Sequence, residues 1–141
     1  MIRSANAEWN GTLKEGTGHM KTGTGAIDQP FSFKTRMGDG NTGTNPEELI
    51  GAAHAGCFSM QFSAMLEHAG YPADSVKTEA KVHFGPVDGG FAISKIELTT
   101  QGKVPGIAAE QFQSIANEAK VSCPVSKALS ATEITLSASL V

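Results

Sequence analysis

The sequence has few of the residues that staple, cage or anchor a protein. It has two cysteines in 141 residues, Cys57 and Cys123, too few for the disulfide framework of a small secreted scaffold. No C-x-x-C or H-x-x-x-H pair occurs, so the ligand spacing of a structural zinc site is missing. Excess positive charge is missing too: eleven basic residues stand against fourteen acidic ones, a net charge of −3, with no basic cluster to meet nucleic acid or an anionic membrane. The N-terminus lacks the apolar core and small-residue cleavage site of a secretory signal, so a cytoplasmic protein is expected. No G-x-S-x-G elbow, P-loop or G-x-G-x-x-G fingerprint appears. Repeats and low-complexity segments are absent. With 40% hydrophobic residues, the chain can build a core without staples, and one domain over residues 1–141 is expected.

What is present alternates between strand and helix signals. Residues 4–36 read as strands joined by glycine turns, with Ala5, Ala7 and Trp9 alternating with polar residues, a turn-rich stretch from Gly16 to Gly25, and a third strand, Phe31 to Thr35, ending at Arg36. Gly38–Thr44 reads as a loop. A helix then starts sharply, with Asn45 as N-cap, Pro46 in the first turn and Glu48 as the capping-box acid, and stops at Gly70 before Pro72. From Leu49 to Leu66 it carries no Asp, Glu, Lys or Arg, and a helix apolar all round is expected to be buried. It is also long enough to span a bilayer, but His54, Ser59, Gln61 and Ser63 within it and the lack of an aromatic belt favour a helix wrapped by protein. Ser75–Phe84 and Phe91–Gly102 should pair as a hairpin, 108–121 should be an amphipathic helix burying Phe112, Ile115, Ala116 and Ala119, Cys123-Pro124 should open a short helix, and 132–141 should be a final strand. The expected fold class is α+β, antiparallel sheets packed around a long central helix.

Taken alone, the candidate chemical residues leave alternatives open. Cys57, mid-helix among Ala, Gly and Phe, reads as a small buried hydrophobe. Cys123, just before Pro124 at a helix start, is placed where unpaired N–H groups favour a thiolate. His54, one turn before Cys57, either tunes that thiol or packs beside it. Arg36 reads as a solvated charge, and Glu47 as a partner of the helix dipole.

The run from Thr44 to Met60, TNPEELIGAAHAGCFSM, with CPVSKAL at 123–129, resembles the OsmC branch of the osmotically inducible and organic hydroperoxide resistance protein family. Phe33-Lys-Thr-Arg36, 87–93 and 104–107 support it, so the resemblance spans nearly the whole chain, and His54 is the residue of the OsmC branch where the sister branch usually carries Tyr. The resemblance implies a thiol-dependent peroxidase acting on organic hydroperoxides and hydrogen peroxide. Cys57 would be the peroxidatic cysteine and Cys123 the resolving one, closing a Cys57–Cys123 disulfide, with Arg36 and Glu47 completing the site. It further implies an intertwined homodimer, an external dithiol reductant or reducing protein, and no haem, flavin or metal. A redox-responsive binding protein without turnover is the alternative reading.

The implied chemistry fits the residue types. Breaking a peroxide O–O bond requires a thiolate and stabilisation of the leaving oxygen, both of which a guanidinium supplies. A carboxylate such as Glu47 would orient that planar fork. Phe58, Met60 and Phe62 are expected to give apolar walls suited to alkyl hydroperoxides. Glu47 and Cys57, ten residues apart on one expected helix, would be separated by about 15 Å, so an arginine serving both implies either that the helix breaks or that Glu47 comes from the partner subunit, and a run with no internal proline argues against a break.

Overall fold

The computed structural model describes residues 1–38 and 43–141; of the loop expected over Gly38–Thr44, residues 39–42 lie outside the described residues. Packing divides the chain into two compact units, Met1–Leu49 and Ile50–Val141.

The first unit holds β1 (Ala5–Asn10), β2 (Thr17–Thr22) and β3 (Asp28–Ser32) in an antiparallel sheet of that order. The expected turn-rich stretch from Gly16 to Gly25 thus contains a strand. Glycine is a poor strand residue in isolation, but β2 is hydrogen-bonded on both edges, and at Gly18 a side chain would run into the Phe31 ring and the Glu8 carbonyl. The missing side chain lets Phe31 reach Trp9, their ring centroids 5.3 Å apart.

The expected third strand through Arg36 is a second correction. It ends at Ser32, and Phe33–Met37 forms a one-turn helix, α1. Ser32 is the N-cap of a reciprocal box in which its hydroxyl accepts from the Thr35 N–H at 3.1 Å and the Thr35 hydroxyl accepts from the Ser32 N–H at 2.9 Å. The alternation of Phe31, Phe33 and Thr35 imitates a strand, while a serine–threonine pair three residues apart closes a cap.

The long helix α2, Pro46–His68, begins in this unit. Asn45 caps it as expected, Oδ1 accepting from the Glu48 N–H at 2.8 Å. The Glu48 carboxylate does not complete the box; it takes the Thr44 hydroxyl at 3.2 Å.

In the second unit α2 ends in a Schellman motif: the Tyr71 N–H reaches the Leu66 carbonyl and the Gly70 N–H that of Glu67, with Gly70 at φ 86°. Nothing lies within 4 Å of a Cβ built on Gly70, so Gly70→Ala tests backbone strain alone. It should cost about 1 kcal/mol and lower Tm by a few degrees in a thermal melt, with activity retained.

Four residues apart along α2, His54, Phe58, Phe62 and Leu66 are all fully buried. Phe58, Phe62 and Leu66 meet Ile96 and Leu98 of β5 and the stripe Phe112, Ile115, Ala116 and Ala119 of α3 (Ala109–Ser122), as the amphipathic pattern required. Phe62 and Phe112 pack edge to face at 5.1 Å. Burying each such ring contributes roughly 1.5–3 kcal/mol. Phe58 and Phe62 are therefore core residues and not the pocket walls expected of them. Met60 is 77% exposed.

Only one stripe of α2 is buried by its own chain. Ala52, Ala53, Gly56, Met60 and Ala64 are exposed, so the expectation of a helix wrapped all round is met on one side alone. By length and composition the helix could also cross a bilayer; four fully buried side chains, a histidine among them, give it the core stripe of a packed helix.

The hairpin of β4 (Ser75–Val87) and β5 (Gly90–Lys103) is longer than its sequence signal, turning at Asp88-Gly89 with a bulge at His83/Phe84. After α3 and the short α4 (Pro124–Ala128), β6 (Glu133–Leu140) pairs with β5 in parallel, from Lys95↔Glu133 to Gly102↔Leu140. The expected all-antiparallel arrangement is thus corrected to a mixed sheet. A helical crossover returns the chain to the start of its neighbour, which dictates a parallel strand.

Candidate active site

In the first unit α1 and the start of α2 bring Arg36 and Glu47 together. Arg36 Nη2 donates to Glu47 Oε1 at 2.7 Å, and Nε lies 3.2 Å from both carboxylate oxygens. The Glu47 side chain is 10% exposed and that of Arg36 41%. A near-buried carboxylate held by a fork of N–H donors fixes the guanidinium plane. The neighbour of Arg36 secures the turn: the Thr35 hydroxyl donates to the Thr44 carbonyl at 2.9 Å, tying α1 to the segment that enters α2.

In the second unit Cys57 of α2 and Cys123, between α3 and α4, are free thiols with Sγ atoms 2.8 Å apart. Cys57 is partly exposed, whereas Cys123 is 0% exposed. A reagent from solvent therefore meets Cys57 first.

Two sulfurs this close cannot both ionise, so the pair's charge must favour one of them. Burial pushes the Cys57 thiol up, the neighbouring Cys123 sulfur pushes it further, and the Val125 N–H only partly opposes them. Burial also works against charge on Cys123, but the Cys57 thiol, the Ser126 N–H and hydroxyl and the Val125 N–H together outweigh it and draw this thiol below its usual range. Pro124 opens α4 without a donor of its own. Within this unit the surroundings thus favour the thiolate form of Cys123 over that of Cys57.

His54 does not tune Cys57 directly. Its Nε2 lies 2.8 Å from the Ser126 hydroxyl, both residues are buried, and Nδ1 has no hydrogen-bond partner among the described residues. Burial lowers the His54 pKa, keeping the ring neutral. Ser126 was missed in the sequence. Its only signal is its place three residues after Cys123, where a serine side chain can turn back to a helix start. Among the described residues no group of three His, Cys, Asp or Glu side chains gathers as a metal site.

Sequence and structure comparisons agree on one family. Residues 38–138 match the family described as OsmC-like protein. The chain is 50% identical to peroxiredoxin OsmC of Escherichia coli over 135 residues, covering 95% of this chain and 93% of the relative. It is 30% identical to the organic hydroperoxide resistance protein OhrB of Bacillus subtilis, over 79% of this chain and 80% of that one. The crystal structure of that OhrB superposes with a TM-score of 0.70, at 26% identity over 98% of both chains. An organic hydroperoxide resistance protein from Elizabethkingia anophelis, crystallised with thiocyanate, superposes with a TM-score of 0.73 at 25% identity, covering 99% of this chain and 96% of that one.

Proposed function

The chain belongs to the OsmC-like protein family, and from that premise we propose that it is a cytoplasmic thiol-dependent peroxidase reducing organic hydroperoxides and hydrogen peroxide. One observation carries the reading: a partly exposed cysteine touches a buried one at 2.8 Å, in a chain whose relatives are named for peroxide reduction and hydroperoxide resistance.

In this reading the Cys57 thiolate attacks the peroxide, the O–O bond breaks, and Cys57 becomes a sulfenic acid while an alcohol or water departs. Cys123 displaces the sulfenic oxygen to form the Cys57–Cys123 disulfide, which an external dithiol or reducing protein reopens. No prosthetic group is needed. The exposures support this order of events, since only Cys57 offers surface to a substrate.

Within the second unit the surroundings favour the Cys123 thiolate, and a cation at Cys57 would oppose that preference. Arg36, oriented by Glu47, fills that role in the proposal, drawing the charge onto Cys57 and hydrogen-bonding the leaving oxygen. Arg36→Lys keeps the charge but loses the fork that Glu47 grips. It should lower kcat/KM for an alkyl hydroperoxide at least about tenfold, the scale of one lost hydrogen bond to a charged group. Activity within a factor of two of wild type would make Arg36 a bystander.

The exposed apolar face of α2 is covered, in the same reading, by a second copy of the chain in a homodimer. Steady-state peroxide consumption with a dithiol, across hydrogen peroxide and alkyl hydroperoxides of increasing chain length, tests the function. Oxidation of the cysteine pair without turnover would instead make the protein a redox-responsive binding protein.

A further inference from the structure

A buried histidine on α2 takes no part in the proposed mechanism. Positions four apart on that helix run His54, Phe58, Phe62 and Leu66, all fully buried, and an apolar residue at the first of them would continue the stripe. His54 instead brings a polar ring into the core, with Nδ1 bonded to nothing among the described residues. An orphaned buried nitrogen lowers stability. What the ring gains in its place is one bond, Nε2 lying 2.8 Å from the hydroxyl of Ser126 on α4, itself buried.

Two contacts therefore join α2 to the corner between α3 and α4. His54 meets Ser126; three residues further along α2, Cys57 meets Cys123, three residues before Ser126, and both separations are 2.8 Å. The two contacts differ in permanence. Thiols are weak hydrogen-bonding groups, and the sulfur contact is remade at each stage of the proposed cycle. The imidazole–hydroxyl bond contains no sulfur, so oxidation leaves it in place. It is also independent of the tautomer, because either Nε2–H donates to Oγ or the hydroxyl donates to Nε2. Cys123 is tied to Ser126 through the first turn of α4, its carbonyl accepting from the Lys127 N–H at 3.0 Å, while its own N–H donates to the Ala119 carbonyl of α3 at 2.9 Å. Whatever holds Ser126 against α2 holds Cys123 there too.

We propose that His54 and Ser126 are a positioning pair, a clamp that keeps Cys123 against Cys57 through every redox state of the cycle, an inference that rests on the two-cysteine reading above. The resolving step then needs no search. The Cys123 sulfur attacks the sulfenic sulfur of Cys57, the S–S bond forms as the S–O bond breaks, and the oxygen leaves as water with its own hydrogen and the proton of the Cys123 thiol. The Cys123 sulfur is oxidised and the Cys57 sulfur reduced. Holding the two side chains together raises the effective concentration of one sulfur at the other, which speeds this step and favours the disulfide at equilibrium.

A clamp and a merely structural bond differ in what their removal does. Replacing both buried partners by apolar groups of similar shape leaves no orphan behind and is nearly neutral or stabilising, the more so here because one ring nitrogen is already unpaired. The clamp thus predicts a fold as stable as before with a poorer disulfide.

The test compares wild type with the double variant His54→Leu/Ser126→Ala, with circular dichroism and thermal melts as checks on folding. Its Tm should hold or rise. Equilibrated with mixtures of reduced and oxidised dithiothreitol, its Cys57–Cys123 disulfide should be about tenfold less favoured, the scale of one hydrogen bond, which places the redox midpoint about 30 mV less negative. His54→Gln, which keeps a hydrogen-bonding amide near the Nε2 position, should return the midpoint towards wild type relative to His54→Leu. Under excess peroxide, which competes with Cys123 for the sulfenic acid, the double variant should over-oxidise Cys57 to the sulfinic acid about tenfold more often per turnover. A folded double variant with the wild-type midpoint overturns the proposal; should that chain fail to fold, Ser126→Ala alone decides by the same measurement. Because the dithiothreitol equilibrium involves no peroxide, the clamp and the reading beneath it fail separately. A wild type that closes the disulfide in dithiothreitol but turns over no peroxide refutes the peroxidase and leaves the clamp to the midpoint, whereas one that closes it under neither condition refutes both.

Discussion

Replacing Cys57 by serine should lower peroxide turnover by about three orders of magnitude or more, the scale of losing an enzyme's nucleophile, whereas Cys123→Ser should complete one turnover and then stall. The asymmetry follows from exposure. Cys57 is partly open and Cys123 is sealed, so the first oxygen is expected on Cys57. In the Cys123→Ser chain the sulfenic acid has no neighbouring thiol to capture it, and it should persist or climb to sulfinic and sulfonic acid as peroxide is added. Intact-mass and peptide mass spectrometry distinguish these states. Wild type given one equivalent of peroxide should yield an intrachain Cys57–Cys123 disulfide, the sulfurs being already in contact at 2.8 Å.

Two outcomes would sink this division of labour. If the first oxygen is found on Cys123, the buried cysteine is the nucleophile, the thiol whose donors draw it below its usual range. Mainly disulfide-linked dimers on non-reducing electrophoresis would mean that Cys57 is resolved by another chain. The experiment thus decides between access, which favours Cys57, and intrinsic thiolate stability within the second unit, which favours Cys123. The proposal requires the Arg36 guanidinium to reverse the second of these.

How much of this could be read from the sequence depended on whether the signal was local. Asn45 and Gly70 bound α2 because capping and left-handed turns are decided within a few residues. The stripe of α3 was legible for the same reason, and the cysteines were found through a long motif. The hidden features depend on partners distant in sequence. Strand β2 exists because β1 and β3 pair with it on both edges, against the preference of its glycine. Strand β6 is parallel because of a crossover. Phe58 and Phe62 could be read as pocket or core alike, until β5 and α3 were placed against them. The Ser126–His54 bond forms only when α4 meets α2, 72 positions away in sequence. Arg36 was singled out by resemblance alone, on a misread element: the Ser32–Thr35 box turned a strand end into a helix.

The placement of Arg36 with Glu47 sharpens the last prediction, that each active site is assembled from two chains. Ten residues of continuous helix between Glu47 and Cys57 amount to about 15 Å, and α2 runs without an internal proline from Pro46 to His68. A guanidinium bound to Glu47 of its own chain at 2.7 Å therefore travels with that carboxylate. To serve a cysteine it must, in the proposed homodimer, reach Cys57 of the other copy, and two-fold symmetry would make two such sites. Complementation reads this directly. Chains carrying Glu47→Ala and Cys57→Ser, each expected to be nearly inactive, are co-expressed with different tags and the mixed dimer is purified. It should recover about half of wild-type activity, because Cys57 of the first chain meets the intact Arg36 and Glu47 of the second. Arg36→Ala paired with Cys57→Ser should complement equally well. Arg36→Ala paired with Glu47→Ala should not, since every site would then receive a defective Arg36–Glu47 pair. A folded mixed dimer of Glu47→Ala with Cys57→Ser that stays as inactive as its parents would mean that Glu47 serves its own chain or none. Recovery in the Arg36→Ala with Glu47→Ala dimer would mean that the two residues reach a site from different chains, and the pair seen within one chain would not be the catalytic one.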